Sequence, residues 1–382
     1  MSRLGLGSEI MVTGRTPSLF DRLILPGFAF KAVVIGGGYA TGRELAAFFL
    51  PAGPRGGLYG ILFAMAIWSA VCALTFLFAH QTKSLDYRTF FRHLLGPFWP
   101  IYEIAYFLAI IVVLAVFAAA ADSIAQTVFG LPAMVGALAL MAAIAAMASF
   151  GNETVERLFK YVTFFLYGTY AIFVLLVLTR FGGQVITAFA TPTPTTGWAM
   201  GGLTYAGYNI IGAIVILPVT RHLTSSKDAL IAGLLAGPFA MLPAILFLLC
   251  MVAFYPAIEA QTLPSDFLLE QLNLPLFRIV FQLMIFSALL ESGTGCVHAI
   301  NERVATAYQQ KNGLSLSNKA RLAITAAVLV GSVFVAGRYG LVALIAQGFK
   351  WLSYTFLAVY VLPLATLGLW KIVFAAKGDR HA

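Results

Sequence analysis

Long apolar runs alternate with short polar segments along almost the whole chain. A bilayer-spanning helix takes about 20 apolar residues, because the hydrocarbon core is about 30 Å thick and each helical residue rises about 1.5 Å. On that measure the pattern predicts about ten spans, near 22–50, 56–79, 98–128, 132–150, 155–180, 198–222, 226–254, 276–308, 319–337 and 340–374. Between the second and third, SLDYRTFFRHL sets Phe90, Phe91, Leu94 and Leu95 against Arg88, Arg92 and His93. That is the pattern of a short helix lying in the membrane interface. SDFLLEQL (265–272), between the seventh and eighth, has the same character. The expected class is an all-α polytopic membrane protein. Residues 1–21 form an N-terminal segment, 22–374 one transmembrane domain and 375–382 a tail.

Two spans carry breakers. The first reads PGFAFKAVVIGGGYATGRELAAFF, with Gly36, Gly37 and Gly38 consecutive at its midpoint. Each glycine costs about 1 kcal/mol relative to alanine inside a helix, so the run marks an unwinding point. The sixth reads GGLTYAGYNIIGAIVILP, with Gly201, Gly202, Gly207 and Gly212 around Tyr205, Tyr208 and Asn209. These spans hold matching places in two halves, about 22–180 and about 198–374. Five spans is an odd number, so the second half inserts upside down. Interrupted helices at matched positions of inverted halves point to a transporter's binding site. Unwound backbone cannot face lipid, so such breaks line a cavity or are covered by protein. The alternative, preferred for Gly202 or Gly212 taken alone, is that a small residue lets helices pack closely.

Composition narrows the class further. With 60% hydrophobic and 10% charged residues and a mean hydropathy of +0.90, too few polar residues remain to cover a soluble domain. The net charge of +9 does not imply nucleic acid, because the Lys and Arg residues lie between apolar runs, where they orient membrane proteins. With the N-terminus in the cytoplasm, inside segments collect seventeen of them and outside segments only Arg55, Arg180, Arg278 and Arg338. Both termini are therefore expected inside, in the plasma membrane (the inner membrane of a bacterium). Cys72, Cys250 and Cys296 fall in apolar runs without paired spacing and read as small buried packing residues. The five histidines show no ligand spacing, so neither a metal nor another cofactor is expected. No G-x-x-x-x-G-K-[ST] segment is present, so this chain is not expected to hydrolyse ATP.

The stretch IGGGYATGRELAAFF resembles the start of the YkvI-like membrane proteins, with their Gly-x-Gly-aromatic-Ala-Ser/Thr-Gly-x-Glu pattern in helix 1. HAINERV, near the end of the eighth span, is similar to that family's aromatic-x-x-x-Glu-Arg segment. The resemblance implies membership of the amino acid–polyamine–organocation superfamily and the LeuT-type five-plus-five inverted repeat, with helices 1 and 6 broken. It also implies a site between the breaks, walled by helices 3, 8 and 10. Carried over, the substrate candidates are Gly36, Gly37, Gly38, Tyr39, Ala40 and Thr41, joined by Gly207, Tyr208 and Asn209. Tyr205 and Tyr208 offer apolar faces with polar tips, or are ordinary packing aromatics. The resemblance implies an amino acid or a small amine-containing solute, while the residues themselves leave amino acids, organic cations and nucleobase-like solutes open.

Ionisable groups inside a bilayer are costly, and each is a functional candidate. Lys31 and Glu103 are deep enough to pair with each other. Asp122 nears the end of its span, and His298 reads as a hydrogen-bonded residue rather than a ligand. Arg43, Glu44 and Lys350 surround the place where an outward cavity would narrow, as a gate or as a pin holding helix 1 to helix 10. The LeuT-type resemblance also implies a cation site of helix 1 carbonyls and helix 8 hydroxyls, which in the matching stretch LLESGTGCV would fall to Ser292 and Thr294. Glu291 stands where the resembling family tends to carry a small or hydroxyl residue. Low polarity there favours the neutral acid, which suits a group that takes up and releases a proton. The expectation is a secondary transporter coupled to protons through Glu291, with Gly36 and Gly37 carbonyls nearby. Coupling to Na+ at the same place, or a structural pairing of Glu291 with Lys31, is the alternative. A channel or a membrane enzyme has less support, since neither a filter-like loop nor a nucleophile–base pair is present in the sequence.

Overall fold

The computed structural model describes residues 17–149 and 152–378. Most of the expected N-terminal segment and the last residues of the tail, from 379 on, lie outside the described residues. Every described element is a helix. The first span enters as α1 (Leu25–Val34), whose Pro26 occupies the first turn, where its missing N–H costs nothing. Ile35 (φ −88°, ψ 83°) and Gly36 (φ −106°, ψ −172°) leave the helix, and α2 (Gly37–Ala40) is a single turn. Gly42 adopts φ 76° before α3 (Arg43–Phe48), a left-handed conformation that favours glycine. The first span is thus interrupted twice.

Next come α4 (Gly53–Thr82), the short α5 (Tyr87–Leu95), α6 (Pro100–Phe129), α7 (Val135–Ser149) and α8 (Asn152–Ala190). The Asp86 side chain caps α5 by accepting the Thr89 N–H at 2.9 Å. The sixth span is α9 (Trp198–Asn209), a turn at Ile210–Ile211, α10 (Gly212–Val215) and a tight 3-10 segment, Leu217–His222. Its interruption falls one residue beyond the candidate residues Gly207, Tyr208 and Asn209, and Ile210 keeps helical angles (φ −62°, ψ −18°).

The rest is α11 (Ser226–Val252), α12 (Pro264–Leu272), α13 (Pro275–Asn312), α14 (Asn318–Ala343), α15 (Phe349–Phe356) and α16 (Leu369–Gly378). Among the described residues, six helical stretches are long and apolar enough to cross a bilayer. One of these, Asn318–Phe374, is the ninth and tenth spans joined across Gly340, whose φ of 71° turns the chain. The short helices α5 and α12 occupy equivalent places, after the second and seventh spans.

Two groups of helices pack internally. In one, α1, α4, α9 and α11 lie against each other; in the other, α6, α7, α13 and α14 do. Small residues let the first group close. Gly233 of α11 meets the Ala73 and Cys72 backbone, Gly237 meets Ser69 and Met65, and a Cβ on Gly202 would stand 2.5 Å from the Gly60 carbonyl oxygen. The start of the first span is fixed to this group by Arg22, which donates twice to Asp228 at 2.8 Å. Between the groups run α2, which touches α13 and α6, and α8 and α15 on the flanks.

Gly233→Leu forces a side chain into the α4–α11 contact, where overpacking costs about 1–3 kcal/mol. It is expected to lower the detergent melting temperature of the purified protein by several degrees. Gly183→Ala, at a helical position with nothing within 4 Å of the added carbon, is the matched control and should leave it unchanged.

Candidate functional site

The broken backbone faces a cavity of about 510 Å³ between the two helix groups. From the first span it is lined by Ile35, Gly36, Gly38, Tyr39 and Glu44, and from the sixth by Tyr208, Asn209 and Ile211. α6 contributes Tyr106 and Phe117, α8 Tyr167, α13 Glu291, Ser292 and Cys296, and the tenth span Phe349. Both interrupted spans therefore open onto one volume, within the usual 300–1,000 Å³ of small-molecule sites.

Glu44 is 7% exposed. One carboxylate oxygen accepts a hydrogen bond from the Tyr208 hydroxyl. The other stands 3.1 Å from where a Cβ of Gly38 would be, so a side chain at position 38 would press on it. Tyr208 is stacked on Phe349 at 4.3 Å between ring centroids. Glu44 thus belongs to the cavity and joins α3 to α9, rather than facing the tenth span through Lys350. Lys350 is exposed and makes no ion pair with Arg43 or Glu44. Arg43 turns the other way, donating to the Glu259 carbonyl at 3.0 Å and the Gln261 carbonyl at 2.7 Å. The Ser265 N–H donates to the Thr41 carbonyl at 3.0 Å. Phe247 and Pro264 close over Gly42. The loop between α11 and α12 is therefore bonded onto the second break and shuts this end of the cavity.

At the other end of the glycine run, a Cβ on Gly36 would stand 3.1 Å from the Ser292 hydroxyl. Glu291 lines the cavity beside it. Thr294 does not join them, because its hydroxyl donates to the Leu290 carbonyl of its own helix at 2.7 Å. The first span's remaining candidates divide. Thr41 is fully buried and its hydroxyl donates to the Gly38 carbonyl at 2.7 Å. Ala40 and one side of Tyr39 border a smaller apolar pocket against Tyr170, Pro243 and Met284. Tyr205 is a packing residue between Phe49 and Trp68, at 4.9 and 5.5 Å. Gly207 lets α9 approach the Ser353 hydroxyl of α15. Gly37 opens α2.

The paired charges differ from the expectation as well. Lys31 holds its ammonium 4.4 Å over the Tyr167 ring, not against Glu103, and forms no ion pair with Glu291. Glu103 instead accepts from the Tyr87 hydroxyl at 3.1 Å and lies 3.5 Å from Arg303. The Arg303 guanidinium is sandwiched between Tyr87 and Tyr106, at 3.5 and 3.4 Å. Cys296 is partly exposed to the cavity rather than buried like Cys72 and Cys250. The aromatic walls, Tyr106, Phe117, Tyr167 and Phe349, had no individual signal, because each is one aromatic inside a uniformly apolar span.

No protein-family model matches the chain, and no curated protein does. Among solved structures it is similar to a manganese transporter of Eremococcus coleocola, at 15% identity over 91% of this chain and 78% of that one, with a TM-score of 0.54. It is also similar to a Na+-coupled sialic acid symporter in a substrate-bound outward-open state (14% identity, 93% and 79% coverage, TM-score 0.57). A third is MhsT in complex with L-phenylalanine (15% identity, 94% and 99% coverage, TM-score 0.55). These likenesses define the class of fold: a multi-pass, all-α membrane protein of the LeuT type, with helices 1 and 6 broken.

Hydrogen bonds to a charged group are worth about 1.5–3 kcal/mol each, and about 1.4 kcal/mol is a tenfold change in an equilibrium. Arg43→Ala, which removes two of them, is therefore expected to open the α3 end. A membrane-impermeant maleimide applied from that face should label Cys296 at least about tenfold faster than in the parent protein.

Proposed function

We propose that the protein is a secondary transporter moving a small solute, an amino acid or amine-containing metabolite, by alternating access. The observation that carries this is the meeting of both helix breaks on one cavity whose α3 end is closed by Arg43 and the Ser265–Thr41 bond. The cavity lining continues toward the opposite end, along Ala32, Val33, Val215 and Ala299. The Lys/Arg distribution supports cytoplasmic termini in a plasma membrane, or bacterial inner membrane. In that orientation this is an inward-facing state. The halves near 22–180 and 198–374 act as inverted repeats, a reading supported by the matched places of α5 and α12. The YkvI-like motifs in the first and eighth spans fit the same superfamily.

Coupling runs on protons, carried by the Glu291 carboxyl beside Ser292 and the Gly36 backbone. A cavity-lining carboxyl with no ion-pair partner among the described residues can bind a proton on one side and release it on the other. Ser292 packed against Gly36 is the observation that favours Na+ as a second reading, with that hydroxyl and the broken backbone as ligands.

Reconstituted protein driven only by a pH gradient tests the two. Glu291→Gln cannot titrate and is expected to lose concentrative uptake at least tenfold, while substrate exchange at equal pH persists. Uptake by the variant that still follows the pH gradient removes Glu291 from coupling. Uptake that follows an inward Na+ gradient and ignores pH establishes the second reading.

A further inference from the structure

We propose that the cavity selects a cation, a primary or alkylated amine that carries no carboxylate. This deepens the transporter reading and rests on it. The charged side chains in the cavity wall are Glu44 and Glu291, both acidic. Each nearby cation is engaged elsewhere. Arg43 donates to the Glu259 and Gln261 carbonyls, and Arg303 lies between two tyrosine rings beside Glu103. Lys31 rests over Tyr167, outside the wall itself.

Glu44 is the stronger of the two acids as a recognition element. It is almost wholly buried, its protein partner is a neutral hydroxyl, and no salt bridge reaches it among the described residues. A carboxylate so placed is costly until a cation enters beside it, and breaking such a pair is far worse than never forming it. An ammonium group supplies that charge. Around it stand Tyr208, Phe117 and Phe349, whose ring faces attract a cation and tolerate its alkyl substituents. The carboxylate of an amino acid would enter the same space with no cationic side chain to receive it. The Gly36 N–H closes onto the Val34 carbonyl at 3.2 Å. Repulsion from two acids is the kind of element that gives specificity against the wrong ligand.

Two matched sets of probes separate the charge types at constant shape: phenethylamine, phenylalanine and 3-phenylpropionate; and 3-methylbutylamine, leucine and 4-methylpentanoate. Thermal stabilisation of the purified protein gives binding, and counterflow in proteoliposomes gives transport. The amines are expected to act at concentrations at least tenfold lower than the matching amino acids, with the acids inert. Glu44→Gln should weaken amine binding at least tenfold and Glu44→Asp should restore part of it. If the glutamine variant does not fold, the ranking within each set on the parent protein decides. Preference for the amino acids or acids overturns the cation assignment and leaves the transporter reading standing. Stabilisation by Mn2+ with no response to amines overturns it in favour of a metal, and no response to any probe overturns it outright. Amines that bind through Glu44 but never exchange across the bilayer uphold the cation site and refute transport.

Discussion

Inside a bilayer every backbone N–H and C=O needs a partner, and each one left bare costs several kcal/mol. A helix broken at mid-membrane is possible only where the rest of the protein covers the break. Here that requirement organises the fold. The Thr41 carbonyl is met by the Ser265 N–H and the Gly38 carbonyl by the Thr41 hydroxyl, while the Gly42 N–H donates to the Tyr39 carbonyl at 3.0 Å beneath Phe247 and Pro264. The α11–α12 loop is therefore part of the first span's hydrogen bonding, and Arg43 adds two further bonds to the same loop. At Gly36 the opposite holds, since the backbone there borders the cavity.

The cavity follows from how the helices group. Within α1, α4, α9 and α11, glycines bring backbones into direct contact, which makes the group rigid, because small residues at helix interfaces maximise van der Waals packing in lipid. The second group, α6, α7, α13 and α14, is equally self-contained. Much of the link between them passes through α2, a single turn, and through α8 and α15 at the flanks. A cleft between two rigid bodies can close at one end while opening at the other with little repacking inside either. Tyr208 belongs to the first group and bonds Glu44 of α3 to it, while Glu291 and Ser292 belong to the second, so motion of one group against the other would alter the space between the two acids.

The apolar spans, the two short helices α5 and α12 and the interruption at Gly36 were legible in the sequence, because apolar runs and a triple glycine are local signals. The second interruption was harder to see. Gly42 is a lone glycine, and nothing in the sequence reports that its φ is positive or that Pro264 covers it. In the sixth span the glycines pointed to Gly207–Asn209, but Gly207 serves close approach to Ser353, and the helix turns instead at Ile210–Ile211. Long-range partners were the least legible. Arg43 bonds to main-chain carbonyls more than two hundred residues away, and carbonyls carry no side-chain signature. The sequence offered Lys350 as a counter-charge for Glu44 on the tenth span, but Lys350 is exposed. Glu44, read as part of a gate, belongs to the cavity, in the first turn of α3 just past the left-handed Gly42.

The proposed alternating access requires the two ends of the cavity to open in opposition. Paired spin labels at exposed positions test it most directly, with Phe28 and Leu322 reporting one end and Ala260 and Phe129 the other. Distance distributions in lipid nanodiscs, recorded with and without a transported solute, should each contain two populations. As solute is added the first pair should shorten while the second lengthens, or the reverse, in matched proportion. Single distances that do not respond, or two ends that open and close together, would contradict alternating access around these broken helices.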